Sequence, residues 1–350
     1  MKIIADSDHL CDEDRNRAIE RGVDFLYRTA CDPENFEAYG FDFVSCFYGI
    51  AVTAGQPALR TRARKVCLEL AQTWRSMHPR LPTEIDADDL SQFLIATDAA
   101  DRIGLPDRTM RQQIRRAAKQ FRAEDYFWFD PTREPPPDDV PDDCECGATN
   151  SRGNVVCDSC QEPLTVMSRY EVWLLALIRT FRGDSYGVSL GARHTDVLRW
   201  LPHMRPYPRA ESPSYADFIW SIYAVTHVIY TLNDYGVYQL SRDWLADEYE
   251  FLATQVEAVI EMDDVETVGE MLDALKTFDL SSKNRVIGLG EAFVLSRQHP
   301  DGSWGDLEAD DIYERYHPTI TAIDGLRLHA WRPASLRSAH VRRLLDVALK

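Results

Sequence analysis

Hydrophobic and polar positions follow the period of an α-helix over most of the chain, and no convincing strand-like alternation occurs outside residues 143–164. Two kinds of helix are predicted, and they alternate along the chain. Helices with a charged face are predicted at residues 13–30, 57–77, 106–123, 190–202, 240–260, 283–298 and 335–349. Helices with few charges are predicted at residues 41–54, 86–103, 166–182, 215–235, 264–278 and 318–331.

This alternation predicts a closed architecture. A helix that is apolar apart from isolated polar residues is surrounded by protein, whereas an amphipathic helix keeps one face in water. Six inner helices alternating with outer helices predict an all-α fold, an (α/α)6 toroid around a central pocket. The glycine-containing run at residues 21–27 echoes the run at residues 289–295, which favours internal repetition. An irregular helical bundle, or a pair of bundles, is the alternative.

Residues 290–326 predict how one outer helix connects to the next inner helix. Gly302 and Gly305 permit turn conformations that other residues resist. Trp304 lies between them and is expected to pack back on the preceding helix as an apolar plate. Pro318 suits the first position of the following helix, and His317 is expected to cap that helix from just outside it.

The helical pattern is interrupted at residues 124–165, where prolines and aspartates disfavour a helix. We therefore predict that this insertion divides the toroid into two parts, residues 1–123 and residues 166–350.

The insertion contains four clustered cysteines in two close pairs, Cys144 with Cys146 and Cys157 with Cys160. Four thiolates on short loops suit tetrahedral Zn²⁺, so we predict a structural zinc knuckle or ribbon. The first pair has only one residue between its cysteines, which leaves open that one ligand is replaced. A redox pair of Cys157 and Cys160 is the alternative.

Two predicted inner helices carry polar residues along one face. In the first, the spacing i, i+4, i+7 and i+11 joins Tyr223, His227, Tyr230 and Asp234. In the second, the spacing i, i+4 and i+7 joins His317, Thr321 and Asp324. These residues are either satisfied core groups or functional stripes that face the pocket, because buried polar groups are costly without partners. Other polar residues of the inner helices, such as Asp42, Thr267 and Glu270, are interpreted as structural.

Three carboxylates, Asp86, Asp88 and Asp89, stand at the start of another predicted inner helix. Crowded carboxylates repel one another, which raises at least one pKa and can keep one carboxyl protonated as a general acid. In the ordinary interpretation, Asp86 caps the helix and the other two favour its positive end.

These patterns resemble motifs of known enzymes. Similarity to the QW repeat of terpene cyclases, which adopt the (α/α)6 toroid, lies in Gly290, Phe293, Val294, Leu295, Gln298, Gly302, Ser303 and Trp304. The stretch from Asp86 to Asp89 resembles the DxDD motif of class II terpene cyclases. Tyr316 and His317 are similar to a Tyr-His segment of protein prenyltransferase β subunits.

The resemblance implies a class II cyclase-like isomerase or lyase acting on a small apolar, isoprenoid-like substrate. Asp88 would protonate the substrate, and Asp86 and Asp89 would tune it. In an apolar lumen that excludes water, aromatic walls would stabilise a carbocation by cation–π attraction. These walls would be Tyr223, Tyr230 and Trp304.

Two other functions are carried as alternatives. The first is a metal-dependent enzyme of the non-haem iron or copper type, in which His227 and His317 bind a second metal with a carboxylate. The candidate carboxylates are Asp234, Asp324 and Asp86. The second is a non-catalytic scaffold whose acidic surface binds a basic protein.

Charge and composition narrow the partners. The net charge of −18 argues against nucleic acid and anionic membrane surfaces. No apolar run approaches the roughly 20 residues of a membrane span, and residues 1–13 lack the apolar core of a signal peptide. With four further cysteines placed singly, these features predict a cytoplasmic protein. The sequence does not indicate an oligomeric state.

Overall fold

The computed structural model describes residues 12–280 and 283–333, which form thirteen α-helices. The helices are α1 (Asp12–Ala30), α2 (Pro33–Thr53), α3 (Pro57–Met77), α4 (Ala87–Ile103), α5 (Arg108–Ala117), α6 (Ala123–Phe127), α7 (Arg169–Tyr186), α8 (His194–Leu198), α9 (Tyr215–Asn233), α10 (Ala246–Glu261), α11 (Val265–Lys276), α12 (Arg285–Ser296) and α13 (Tyr313–Leu326). Two short parallel strands, β1 (Tyr238–Gln239) and β2 (Arg332–Pro333), pair with each other. The all-α prediction is confirmed, and no helix in the described part is long and apolar enough to cross a membrane.

Most helix boundaries follow local signals in the sequence. Helix α2 begins eight residues before its predicted start, because Asp32 caps it and Pro33 occupies the first turn. The Asp32 carboxylate accepts hydrogen bonds from the backbone N–H groups of Glu34 at 3.0 Å and Asn35 at 3.1 Å. The outer helix predicted at residues 190–202 is wrong, since only α8 and a 3₁₀ turn form there. The helix predicted at residues 335–349 lies outside the described residues.

The helices with few charges pack on one another in chain order. Contacts join α2 to α4, α4 to α7, α7 to α9, α9 to α11 and α11 to α13, and α1 packs against both α13 and α2. The amphipathic helices lie against this series, with α3 on α2 and α4, and with α10 and α12 on α11. This order brings one polar stripe of each low-charge helix toward its neighbours.

The turn between α12 and α13 corrects one prediction. Gly302 and Gly305 have φ values of 97° and 94°, as expected for this turn. Helix α13 nevertheless begins at Tyr313, so Pro318 and His317 lie inside it. Proline cannot donate to the carbonyl four residues before it, and the N–H of Asp306 takes that place by donating to the Glu314 carbonyl at 3.1 Å. The turn therefore satisfies the group that Pro318 leaves unpaired.

Helix α6 extends over residues 124–127 of the predicted insertion, so the expected absence of a helix is wrong there, whereas residues 128–168 form no helix. A bridge joins Pro141, inside the insertion, to Val166, just after its last residue. Inside it, the Arg152 guanidinium pairs with the carboxylates of Glu134 at 2.6 Å and Asp139 at 2.5 Å. The segment is therefore held by its own backbone bridges and ion pairs.

Candidate functional site

A cavity of about 300 Å³ lies among the middle and C-terminal parts of six helices, α2, α4, α7, α9, α11 and α13. Its acidic lining residues are Asp42, Asp98, Asp234, Glu270, Asp273 and Asp324. Its basic lining residues are Arg102, Arg182, His227, His317 and Arg327. The lumen therefore carries many charged groups, whereas an apolar lumen was expected.

His227 projects from α9 and is neutral at pH 7. Its Nδ1 atom lies 2.9 Å from the Tyr223 carbonyl, which can only accept, so we assign the proton to Nδ1 and the lone pair to Nε2. Burial lowers the pKa of His227 to about 4. The Tyr223 hydrogen bond raises this pKa by a smaller amount than burial lowers it, and the positive charge on His317 lowers it further. A neutral imidazole with a free lone pair can accept a proton.

His317 projects from α13 and is protonated at pH 7. Its Nδ1 atom lies 3.0 Å from a carboxylate oxygen of Glu266, and the Tyr313 ring stacks on it with centroids 4.9 Å apart. Burial lowers the pKa of His317, but the carboxylates of Glu266 and Asp42 outweigh it and raise the pKa to about 9. The Tyr223 hydroxyl donates to the same Glu266 oxygen at 3.0 Å, which holds this carboxylate in place.

Glu270 projects from α11 and is 5% exposed. Burial raises the pKa of its carboxyl to about 8, although the Thr226 hydrogen bond and the charge of His317 lower it. The Thr226 hydroxyl donates to Glu270 Oε2 at 2.7 Å, and His227 Nδ1 lies 3.8 Å from the same oxygen. Glu270 is therefore a neutral carboxylic acid beside the neutral histidine at pH 7.

Sequence reasoning treated Glu270 as structural, yet a signal for it was present. Glu266, Glu270 and Asp273 follow the spacing i, i+4 and i+7 along α11. The same spacing identified the stripes that contain His227 and His317. These three stripes face one another in the structure. The spacing therefore predicts a site shared by α9, α11 and α13.

The other members of the predicted stripes have different places. Tyr230 lines the cavity, and its hydroxyl donates to the Glu270 backbone carbonyl at 2.9 Å. Asp234 caps α9 in a left-handed conformation with φ 57° and also lines the cavity. Asp324 accepts a hydrogen bond from Arg327 at 2.5 Å. Tyr223 lies behind the lining, in contact with Glu266.

The three aspartates at the start of α4 lie away from the cavity. Asp86 caps α4 by accepting the Asp89 backbone N–H at 2.8 Å, and the pKa of Asp89 is raised by partial burial and by its two acidic neighbours. Asp88 is exposed and pairs with Arg179 of α7. Helix α4 first reaches the cavity at Ile95, seven residues on and roughly 10 Å along its axis.

The Asp88 carboxyl, which was expected to be the general acid, therefore has no access to the lumen. Trp304 is also absent from the lining, because it is fully buried beside α12 instead. Its expected role as an aromatic wall of the cavity is wrong, whereas its expected packing on the preceding helix is confirmed. The Trp304 indole N–H donates to the Val294 carbonyl of α12 at 2.7 Å.

Four cysteines of the insertion can hold a metal ion. Sulfur atoms of Cys144 and Cys160 lie 3.4 Å apart, and those of Cys146 and Cys157 lie 3.6 Å apart. Ligands at tetrahedral corners about 2.3 Å from one ion would be separated by about 3.8 Å, so the spacing suits such a site. The Asn150 side-chain amide donates to Cys157 Sγ at 3.6 Å.

Within residues 12–280 and 283–333, this is the only group of three or more candidate ligands whose donor atoms converge. His227 and His317 do not form such a group with Asp234, Asp324 or Asp86. Among these residues, the lumen therefore contains no group of side chains whose donor atoms are placed to bind the second metal.

No protein-family model, no curated protein and no solved structure matches this chain. The cavity and its protonation states are therefore the basis for a functional proposal.

Proposed function

We propose that this chain is an (α/α)6 toroid enzyme that carries out acid–base catalysis on a small polar substrate in the central cavity. The observation that carries the proposal is a pair of histidines in one cavity, His227 bonded to a backbone carbonyl and His317 bonded to the Glu266 carboxylate. These surroundings shift their pKa values in opposite directions, to about 4 and about 9. Titratable groups whose surroundings push their pKa values apart mark acid and base roles. The ring of contacts from α2 to α13 supports the toroid.

The roles follow from the protonation states. His227 takes a proton from a carbon atom next to a carbonyl or carboxyl group, and its Nε2 lone pair forms the new N–H bond. The imidazolium of His317 gives its proton to the oxygen that gains the negative charge. Return of the two protons to other positions yields an isomer. In an elimination, the β-substituent leaves with its bonding electrons and takes the proton from the His227 imidazolium, and the enol O–H returns its proton to His317. This reaction class keeps the lyase or isomerase chemistry of the sequence-based expectation.

Glu270 supports this chemistry as a hydrogen-bond donor. A protonated carboxyl can stabilise a developing oxyanion in the way that preorganised donors do. Its proton is available at pH 7 because burial raises its pKa to about 8. The Thr226 hydroxyl donates to Glu270 Oε2 and holds this carboxyl in place at the cavity lining.

Terpene cyclisation is a weaker proposal for this cavity. Protonation of an alkene demands a strong acid, whereas Glu270 has a pKa of about 8 and is therefore a weak one. Asp88 lies outside the lumen, and the charged lining would solvate a cation with carboxylates rather than with aromatic faces. Binding of a lumen metal through His317 Nε2 would require loss of one imidazolium proton, while the Nδ1 hydrogen bond to Glu266 would remain.

We also propose that the ion held by Cys144, Cys146, Cys157 and Cys160 is zinc. Four thiolates at tetrahedral spacing suit Zn²⁺ and leave no open coordination position. Such an ion folds the insertion and takes no part in chemistry. The ion would therefore order the connection between the two parts of the helical chain.

Histidine titrations followed by NMR test the protonation states. We expect His227 to titrate at about 4 and His317 at about 9, with assignments from the single variants His227→Gln and His317→Gln. Glu266→Gln removes the carboxylate that contributes most to raising the pKa of His317, so that pKa falls toward its ordinary value. Glu257→Gln, at an exposed ion pair with Arg285, is the control and leaves both values unchanged.

The stability of the protein is expected to depend on pH through His317. The folded pKa of His317 is raised above its ordinary value of 6.5, so its contribution is complete below about pH 6.5 and is lost as the pH rises through about 9. Titration of both histidines near 6.5 would overturn the assignment of acid and base.

Solvent-exchange assays test the catalysis. Wild-type protein in D₂O is expected to exchange deuterium into the carbon-bound positions of at least one member of a panel of small oxo- and hydroxy-acids. His227→Gln lowers the exchange rate by about 10²- to 10⁴-fold, the usual contribution of a general base. His203→Gln, an exposed histidine outside the cavity lining, is the matched control. Exchange that depends on Asp88 and not on His227 would contradict the proposal.

A further inference from the structure

The Arg182 side chain lines the cavity and has no carboxylate partner among the residues that the structure describes. In the described part of the chain, no carboxylate oxygen lies within the 4.0 Å of an ion pair. Its Nε atom is buried and makes no hydrogen bond. A buried donor on a charged group costs free energy when it has no hydrogen-bond partner. The presence of such a group at a cavity therefore suggests that a bound ligand supplies the partner.

The neighbouring arginines differ from Arg182 in this respect. The guanidinium of Arg102 pairs with Asp98 at 2.7 Å, and that of Arg327 pairs with Asp324 at 2.5 Å. Their charges are neutralised inside the protein, and the Glu270 carboxyl is neutral as well. Arg327 also has a buried donor without a partner, its Nη1 atom, so the missing carboxylate is what distinguishes Arg182 among the arginines of the described lining.

The position of Arg182 is fixed by an aromatic ring. Its guanidinium lies over the Tyr235 ring, 4.1 Å from the centroid, as a cation–π contact. Tyr235 follows α9 with φ 51°, an uncommon conformation for a tyrosine. The Asn233 side-chain oxygen holds this turn by accepting the Gly236 backbone N–H at 2.8 Å.

The same ring links Arg182 to the proposed base. The rings of Tyr235 and His227 lie edge to face, with centroids 6.4 Å apart. The charge of Arg182 also helps to lower the pKa of His227, so the two groups are close in space. A ligand on the guanidinium would therefore sit beside the imidazole.

We propose that Arg182 binds the anionic group of the substrate, a carboxylate or a phosphate, next to His227. This inference rests on the proposed function and names its substrate class as small anionic molecules. Guanidinium groups bind both anions through paired hydrogen bonds. A cavity of about 300 Å³ is at the lower end of ligand pockets and admits a small metabolite. An anionic group on Arg182 would place the adjacent carbon near His227.

Calorimetric titration with inorganic phosphate and with acetate at pH 7 and low salt tests the proposal. Wild-type protein is expected to bind at least one probe saturably. Arg182→Gln weakens that binding at least tenfold, and Arg182→Lys weakens it less because a point charge remains. Arg116→Gln removes the same charge from an exposed position of α5 and leaves binding unchanged. The unfolding temperature of each variant verifies that it is folded.

Two results would overturn the proposal: absence of saturable binding of both probes by the wild-type protein, or equal binding by Arg182→Gln and wild type. Tighter binding of phosphate than of acetate would identify the anionic group of the substrate as a phosphate, and the reverse order would identify it as a carboxylate. The titration needs no turnover, so its outcome is separate from the exchange assay. Arg182-dependent binding without exchange activity keeps the subsite and rejects acid–base catalysis. Exchange activity that Arg182→Gln leaves intact rejects the subsite alone.

Discussion

Replacement of Trp304 by alanine is expected to lower the free energy of unfolding by about 3–5 kcal/mol. The Trp304 side chain is fully buried, and its indole N–H donates to the Val294 carbonyl at 2.7 Å. A Cβ atom at Gly22 would come within 2.9 Å of the ring, so α1 packs directly on it. The substitution therefore opens a cavity between α1, α12 and α13 and removes one of the two hydrogen bonds to the Val294 carbonyl, which keeps the Arg297 backbone N–H at 3.1 Å.

Urea unfolding followed by circular dichroism measures this effect. Leu307→Ala is the matched control in the same connection, because Leu307 is 46% exposed and its truncation should change stability by no more than about 0.5 kcal/mol. Trp304→Phe is expected to fall between the two, since it keeps an aromatic ring and loses the N–H donor. A loss below about 1 kcal/mol for Trp304→Ala would show that the turn does not hold the helices together.

Replacement of Cys157 by serine is expected to abolish stoichiometric zinc binding. Cys157 is fully buried, and its sulfur accepts a hydrogen bond from Asn150, so it is the ligand most enclosed by protein. Metal binding supplies folding free energy in small zinc modules, on the order of 10 kcal/mol in isolated peptides. Loss of one thiolate therefore removes the ion and unfolds the insertion locally.

Metal analysis after dialysis tests this prediction, with one zinc ion per chain expected for the wild type. Cys31→Ser is the control, because Cys31 is an exposed thiol outside the cluster and its loss leaves the metal content unchanged. Limited proteolysis is expected to cut Cys157→Ser within residues 144–160 and to spare the control. Retention of zinc by Cys157→Ser, or oxidation of the wild-type cluster to disulfides in place of metal binding, would contradict the structural zinc site.

The polar stripes show how far sequence patterns reach toward the site. His227 and His317 could be selected before the structure was known, because each interrupts an apolar helix at a position that must face other protein. Their opposite protonation states could not be predicted, since these depend on neighbours from other helices. Glu266 of α11 charges His317 of α13, and burial beside Arg182 of α7 keeps His227 neutral.

The acidic motif at α4 shows the converse. Asp86, Asp88 and Asp89 form the most conspicuous cluster in the sequence, and local chemistry explains them as a helix start. Motif resemblance directed attention to this cluster, but a helix places its first turn and its later turns roughly 10 Å apart. Only the tertiary arrangement of the helices decides which part of each helix borders the cavity.

The sequence by itself determined the helical class, most helix boundaries, the turn around Trp304 and the clustered cysteines. These features depend on residues that are close in the chain: the helical period, the caps, the glycines that permit positive φ, and thiols on short loops. Only the tertiary structure decided the charged lumen, the opposite pKa shifts of the two histidines and the position of Arg182, which has no carboxylate partner among the described residues. These properties arise from long-range contacts, because a pKa or an unsatisfied donor depends on every group packed around it.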